Sequence, residues 1–180
     1  MFHSFFKVFS GTVAAVCFLL LSFTQAFAAE DADTPSQTTA TFGDWTVQCR
    51  LLDDKSTKLC EMLQAIAAKD NKGLLAKIAV GRLPGKEAMR VVVQLPLAVH
   101  LGSPVELRVG DKVAVKAPYE TCYPDFCLAG AVFSDAAAQI FKKAKAMTIV
   151  FADRSGAAKG VPVSLTGFTA AFKKALDAPS

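Results

Sequence analysis

From Phe42 onward the chain is a series of short runs in which apolar and polar positions alternate, divided by Asp, Asn, Pro and Gly. A period of two marks strands that bury one face. Nine such runs are expected to be strands: 44–50, 58–67, 73–81, 88–95, 105–109, 113–117, 127–133, 147–152 and 161–165. Turn signals separate them at Asp53-Asp54, Asp70-Asn71-Lys72-Gly73, Pro84-Gly85, Gly110-Asp111 and Ser155-Gly156, a spacing that suits an antiparallel sandwich or barrel. Two segments switch to helical periodicity. Ser134 is placed to cap a helix over about 134–146, with Asp135 in its first turn and Lys142, Lys143 and Lys145 at its end, as the helix dipole favours. Over about 167–177, Phe168, Phe172 and Leu176 fall at i, i+4 and i+8 and share one face. That stripe is read as the docking face of a last helix on the sheet. The expected fold class is therefore mostly β and antiparallel, with two short helices.

The region before Phe42 has a different texture. Lys7 gives a short basic n-region, 8–23 is an uncharged apolar run of 16 residues, and Ala26-Phe27-Ala28 is a small-x-small site. These are the parts of a secretory signal peptide, 1–28, cleaved after Ala28. The run is shorter than the roughly 20 residues of a transmembrane helix, so no membrane span is expected after cleavage. Residues 29–41 have few apolar side chains and one proline, and read as a flexible leader. A single domain is expected over 42–180.

Export changes the meaning of the cysteines. Four remain in the mature chain, Cys49, Cys60, Cys122 and Cys127, and in an oxidising compartment an even set pairs. Four cysteines allow three connectivities. The local one joins Cys49 to Cys60 across the open end of a hairpin, and Cys122 to Cys127 around Tyr123-Pro124-Asp125-Phe126. The alternative use of Cys122 and Cys127 is as the dithiol of a thiol oxidoreductase or assembly factor. Their C-x4-C spacing is looser than C-x-x-C, and no helix follows to activate the first thiol.

Charge and motif content narrow the function classes. The 20 Lys and Arg less Lys7, against 16 Asp and Glu, leave the mature chain at +3. Its basic residues are scattered, without the dense stripe and interleaved aromatics of a nucleic-acid reader. His100 is the one mature histidine. No G-x-S-x-G elbow accompanies it, and a zinc site would need more convergent ligands. Gly81-Arg82-Leu83-Pro84-Gly85 lacks the Lys-Ser/Thr of a phosphate loop. No catalytic, metal or cofactor set is expected, and the chain reads as non-enzymatic. Function then belongs on exposed loops. The candidate interaction loop carries Tyr119, Tyr123, Asp125 and Phe126, with the 99–104 connection around His100 as a second place to look.

Four segments, taken in order, resemble one family: Phe42-Gly43-Asp44-Trp45-Thr46-Val47-Gln48-Cys49; Cys60-Glu61-Met62-Leu63-Gln64; Pro118-Tyr119 leading to Cys122 and Cys127-Leu128-Ala129; and Ser164-Leu165-Thr166-Gly167-Phe168-Thr169-Ala170-Ala171. They are similar to the invasion-associated locus B family of exported Gram-negative proteins. Phe126 departs from it, since the family commonly has glycine there. The resemblance implies a disulfide-stapled β-sandwich in the periplasm or outer envelope, linked in some members to host-cell entry. It implies a partner that is a protein or glycan of the envelope or of a host surface, and it carries over no catalytic residues. Trp45 is expected to pack beside Cys49 in the core, and Gly43 and Gly167 to serve turns.

Overall fold

A computed structural model describes residues 36–53, 57–69, 73–83 and 85–176. The signal peptide and the leader as far as residue 35 lie outside them. The described chain forms eleven strands and two helices: β1 Gln37–Phe42, β2 Trp45–Leu51, β3 Lys58–Ala67, β4 Leu74–Arg82, β5 Met89–Pro96, β6 Val105–Val109, β7 Lys112–Ala117, β8 Tyr119–Cys122, β9 Phe126–Val132, α1 Asp135–Lys142, β10 Ala146–Ala152, β11 Ala158–Ser164 and α2 Phe168–Leu176. Two antiparallel sheets result, one of seven strands in the order β1-β2-β3-β4-β5-β9-β8 and one of four in the order β11-β10-β6-β7.

The alternation in the sequence decides which face each strand buries. Along β4 and β5, Ala76, Ile78, Val80, Val91, Val93 and Leu95 are buried, while Lys77, Ala79, Arg90, Val92 and Gln94 between them are only partly covered. The small sheet contributes Val105, Leu107, Ala117, Ile149 and Val163 to the same core. α2 closes the rest of it. Phe168 lies edge-on to Trp45 at 5.3 Å between centroids and stacks on Phe172 at 5.7 Å, geometries in which aromatic pairs attract beyond simple burial.

Three expectations need correction. Residues 37–41, read as leader, form most of β1, which pairs with β2 along its whole length. With one neighbouring strand and few buried side chains, β1 is held by backbone hydrogen bonds and leaves little apolar signal. β8 was missed for a similar reason: it has four residues, three of them exposed. The first helix stops at Lys142, because Lys143 caps it and Ala144 already turns the chain toward β10. Ser134 caps its start, accepting a hydrogen bond from the Ala137 amide at 3.2 Å.

Candidate functional site

Three of the four family motifs converge on one place, and that place is structural. The β1–β2 turn at Gly43-Asp44 meets the β11–α2 turn at Thr166-Gly167. The Asp44 amide donates to the Thr166 carbonyl at 3.1 Å, and the Trp45 indole Nε1 donates to the Ser164 carbonyl at 3.0 Å. Gln64, the one buried polar side chain among the described residues, donates through Nε2 to the Asp44 carbonyl at 2.9 Å and the Ser164 carbonyl at 3.2 Å. Both turn glycines have positive φ, +56° at Gly43 and +85° at Gly167. A Cβ on Gly43 would lie 2.6 Å from the Thr166 oxygen, and one on Gly167 would overlap the Phe42 carbonyl. Glycine is required here by conformation and by close approach together. This clasp ties the first hairpin to the last helix, and the Trp45 ring completes it by packing against Phe168.

Both cysteine pairs are bridged. Cys49 and Cys60 face each other across β2 and β3, and Cys122 and Cys127 across β8 and β9; each pair has Cα atoms 4.0 Å apart. The Tyr123 amide donates to the Phe126 carbonyl at 2.7 Å, so the next pair out, Cys122 with Cys127, occupies a position where side chains approach most closely. Cys122 is exposed and Cys127 is buried. Neither sits at a helix N-terminus.

The hairpin that this second bridge closes holds three of the four candidate loop residues. Tyr123 is 50% exposed, Asp125 is exposed and Phe126 is half-buried. The Tyr123 and Phe126 rings lie 4.9 Å apart. Phe126 does not adopt a left-handed backbone; among the described non-glycine residues only Ala98 does, at φ 76°. The glycine common in the family is therefore not a conformational need of this chain. Tyr119 stands apart from the tip. It pairs with Ala129, its hydroxyl is buried without a hydrogen-bond partner among the described residues, and burial pushes the phenol up to about 12.

The 99–104 connection is pinned rather than free. The His100 amide donates to Ala152, the Arg154 amide donates to Ala98, and Val99 bridges Asp153. His100 Nδ1 lies 3.2 Å from Ser103 Oγ, within a local turn closed by the Ser103 amide on the His100 carbonyl. The residue that organises this end is Asp153. It accepts from the Ser155 hydroxyl at 2.6 Å, the Ser155 amide at 2.9 Å and the Ala157 amide at 3.1 Å, and pairs with Lys159 at 3.3 Å. The Ser155 hydroxyl first, with Lys159 and the two amides, draws its carboxyl down to about 2. Among the described residues no cluster of three His, Cys, Asp or Glu side chains is arranged to hold a metal, and no helix is long and apolar enough to cross a membrane.

One surface escaped the sequence reading: the outward face of the large sheet. There Gln48, Arg50, Glu61, Lys77, Arg90 and Gln94 surround a shallow concavity of about 370 Å³. Alternation within each strand marks these residues as outward. What collects them is strand order and register, which the sequence does not display.

With this geometry in hand, comparison with known proteins is decisive for family. The model of the invasion associated locus B (IalB) protein family matches residues 45–176. The chain belongs to that family. An invasion protein B homolog of Brucella abortus (strain 2308) is 26% identical over 164 residues, covering 89% of this chain and 91% of the relative. Invasion protein B of Bartonella bacilliformis is 27% identical over 146 residues, covering 77% and 75%. The crystal structure of invasion associated protein b from Bartonella henselae superimposes with a TM-score of 0.67 at 20% identity, covering 77% of this chain and 95% of that one. What the two share is the two-sheet fold described above.

Proposed function

We propose that this family member works as an exported, envelope-associated, non-enzymatic interaction protein that contributes to entry into a host cell. Its partner is a protein or glycan of the envelope or of the host surface. The observation that carries the reading is the β8–β9 hairpin tip. An exposed tyrosine and a half-buried phenylalanine are held with their rings 4.9 Å apart and tilted by 37°, on a turn closed by a disulfide. Aromatic side chains on a rigid turn offer contact area with little conformational entropy left to lose on binding. Relatives named as invasion proteins support the direction of the role, and the apolar run ahead of Ala28 supports export.

The reading is tested in a deletion strain complemented with the wild-type chain or with Tyr123→Ser/Phe126→Ser. The double variant is expected to be exported in equal amount, with Ala29 as its first residue by N-terminal sequencing, and to leave host-cell entry at the deletion level. Entry equal to wild type with the variant would overturn the assignment of contact to the hairpin.

A further inference from the structure

The outward face of the seven-stranded sheet is built from small residues in the middle and cations around them. Registered rows cross it from strand to strand. One runs Gln48, Glu61, Gly81, Arg90, and the next runs Leu63, Ala79, Val92, Gly130. Gly81 and Ala79 provide the depression. A side chain at Gly81 would press on Glu61, and one at Gly130 on the Arg90–Glu120 ion pair that lies across it. Arg50 on β2, Lys77 on β4, Arg82 at the end of β4 and Arg90 on β5 line the concavity, against the single carboxylate of Glu61. Arg82 is tied to the Glu87 carbonyl and Arg90 to Glu120. Arg50 and Lys77 have no ion pair or side-chain hydrogen bond among the described residues. These two cations, unpaired among the described residues, with the amide groups of Gln48 and Gln94 beside them, make a concave surface of positive sign and mixed donor and acceptor character.

We propose that this concavity binds an anionic oligosaccharide, one bearing carboxylate or sulfate groups. Charge complementarity chooses an anion, with Arg50 and Lys77 as its direct contacts. The fold chooses a sugar over an acidic peptide. β2, β3, β4 and β5 each have strands on both sides, so their backbone groups are already paired. An extended peptide laid on this face would find no strand edge to satisfy its own amides and carbonyls. Sugar hydroxyls need only side-chain partners, and glutamine amides both donate and accept. Among the described residues no aromatic ring lines the concavity, so binding would rest on charge and hydrogen bonds and would weaken with salt. Phe126 lies two residues beyond Leu128 on the outward positions of β9, which puts the aromatic tip on the same side of the sheet. The proposal rests on the reading above, narrowing its partner to an anionic glycan and placing a contact beside the tip.

The test is calorimetric titration of the oxidised chain with a sulfated heparin hexasaccharide, an oligogalacturonate, neutral dextran and poly-L-glutamate. Expected is binding of at least one anionic sugar, none of dextran, and weakening as NaCl rises from about 0.05 to 0.5 M. Arg50→Glu/Lys77→Glu should lose about tenfold or more in affinity, with an unchanged melting temperature. Lys173→Glu/Lys174→Glu on α2 removes the same charge elsewhere and should leave affinity within about twofold. Equal loss in the two variants would reduce the binding to net charge and overturn the site. No binding of either anionic sugar, or tighter binding of poly-L-glutamate, would overturn the ligand class. Host-cell entry that still depends on Tyr123 and Phe126 alongside such a result would keep the interaction reading and remove the glycan.

Discussion

Single residues in this chain divide by what fixes them. Gly167 is fixed twice, by a left-handed backbone and by the Phe42 carbonyl that leaves no room for a Cβ. Gly85 is also left-handed, at φ +68°, but has open space around it. Gly167→Ala should therefore cost about 2–4 kcal/mol, from backbone strain plus displacement of the first hairpin. Gly85→Ala should cost about 1 kcal/mol, from strain alone. Urea unfolding of both variants measures the difference. Asp153 allows a pH prediction at the same scale. Its folded value of about 2 lies below the ordinary 3.8, so the stability it contributes is present above about pH 4 and is lost as pH falls through about 2. Carbon-13 titration of its carboxyl should give a midpoint near 2, and Asp153→Asn should remove this part of the acid dependence. Much of the residue scale was legible in the sequence. Ser134, Gly43 and Gly167 stand where cap and turn chemistry demands. The partners of Gln64 were not legible, because Asp44 and Ser164 reach it only through the folded clasp.

At the scale of elements, legibility followed burial. β3, rich in apolar residues, and β6, whose apolar residues alternate over its whole length, show themselves in the sequence at the observed bounds. β1 and β8 do not, since edge strands are stabilised by backbone pairing that any side chain permits. The first helix ended early because the connection to β10 needs Ala144 and Lys145, a topological demand that overrides two helix-compatible lysines, Lys143 and Lys145. The bridges are also an element-scale matter. The Cys49–Cys60 and Cys122–Cys127 loops span 11 and 5 residues, for which loop closure suggests about 2–3 kcal/mol each. Cys49→Ala/Cys60→Ala should lower stability by about that amount, and more if the packed sulfurs leave a cavity, since both are buried in the core. Cys122→Ser/Cys127→Ser should cost less and loosen mainly the Tyr123–Phe126 tip. Urea midpoints, with amide exchange at residues 119–129, separate the two. An oxidoreductase role for the second pair predicts instead that its serine variant loses thiol exchange activity measured with a disulfide substrate.

On the scale of the whole molecule, the motifs at the first hairpin, at Gln64 and at the last helix form a clasp away from the aromatic tip, while the third motif, at Cys122 and Cys127, frames that tip. Phe42 to Trp45, Gln64 and Ser164 to Phe168 hold the first hairpin to the last helix, so they preserve the fold whatever the protein touches. The surfaces free to recognise something are the aromatic tip of β8–β9 and the cationic face of the large sheet. The first could be named from sequence, because Tyr123 and Phe126 flank a proline turn between two cysteines. The second could not, since Arg50, Lys77 and Arg90 are 13 or more positions apart and come to line one concavity only through strand order and register. The division of labour between clasp and tip is the central claim. Its most direct measurement is site-specific photo-cross-linking in intact cells, with a benzophenone side chain at position 123 and, separately, at position 173 on the exposed side of α2. A discrete adduct from position 123 and none from position 173 is the predicted result. No adduct from 123, or the same adducts from both positions, would contradict the account.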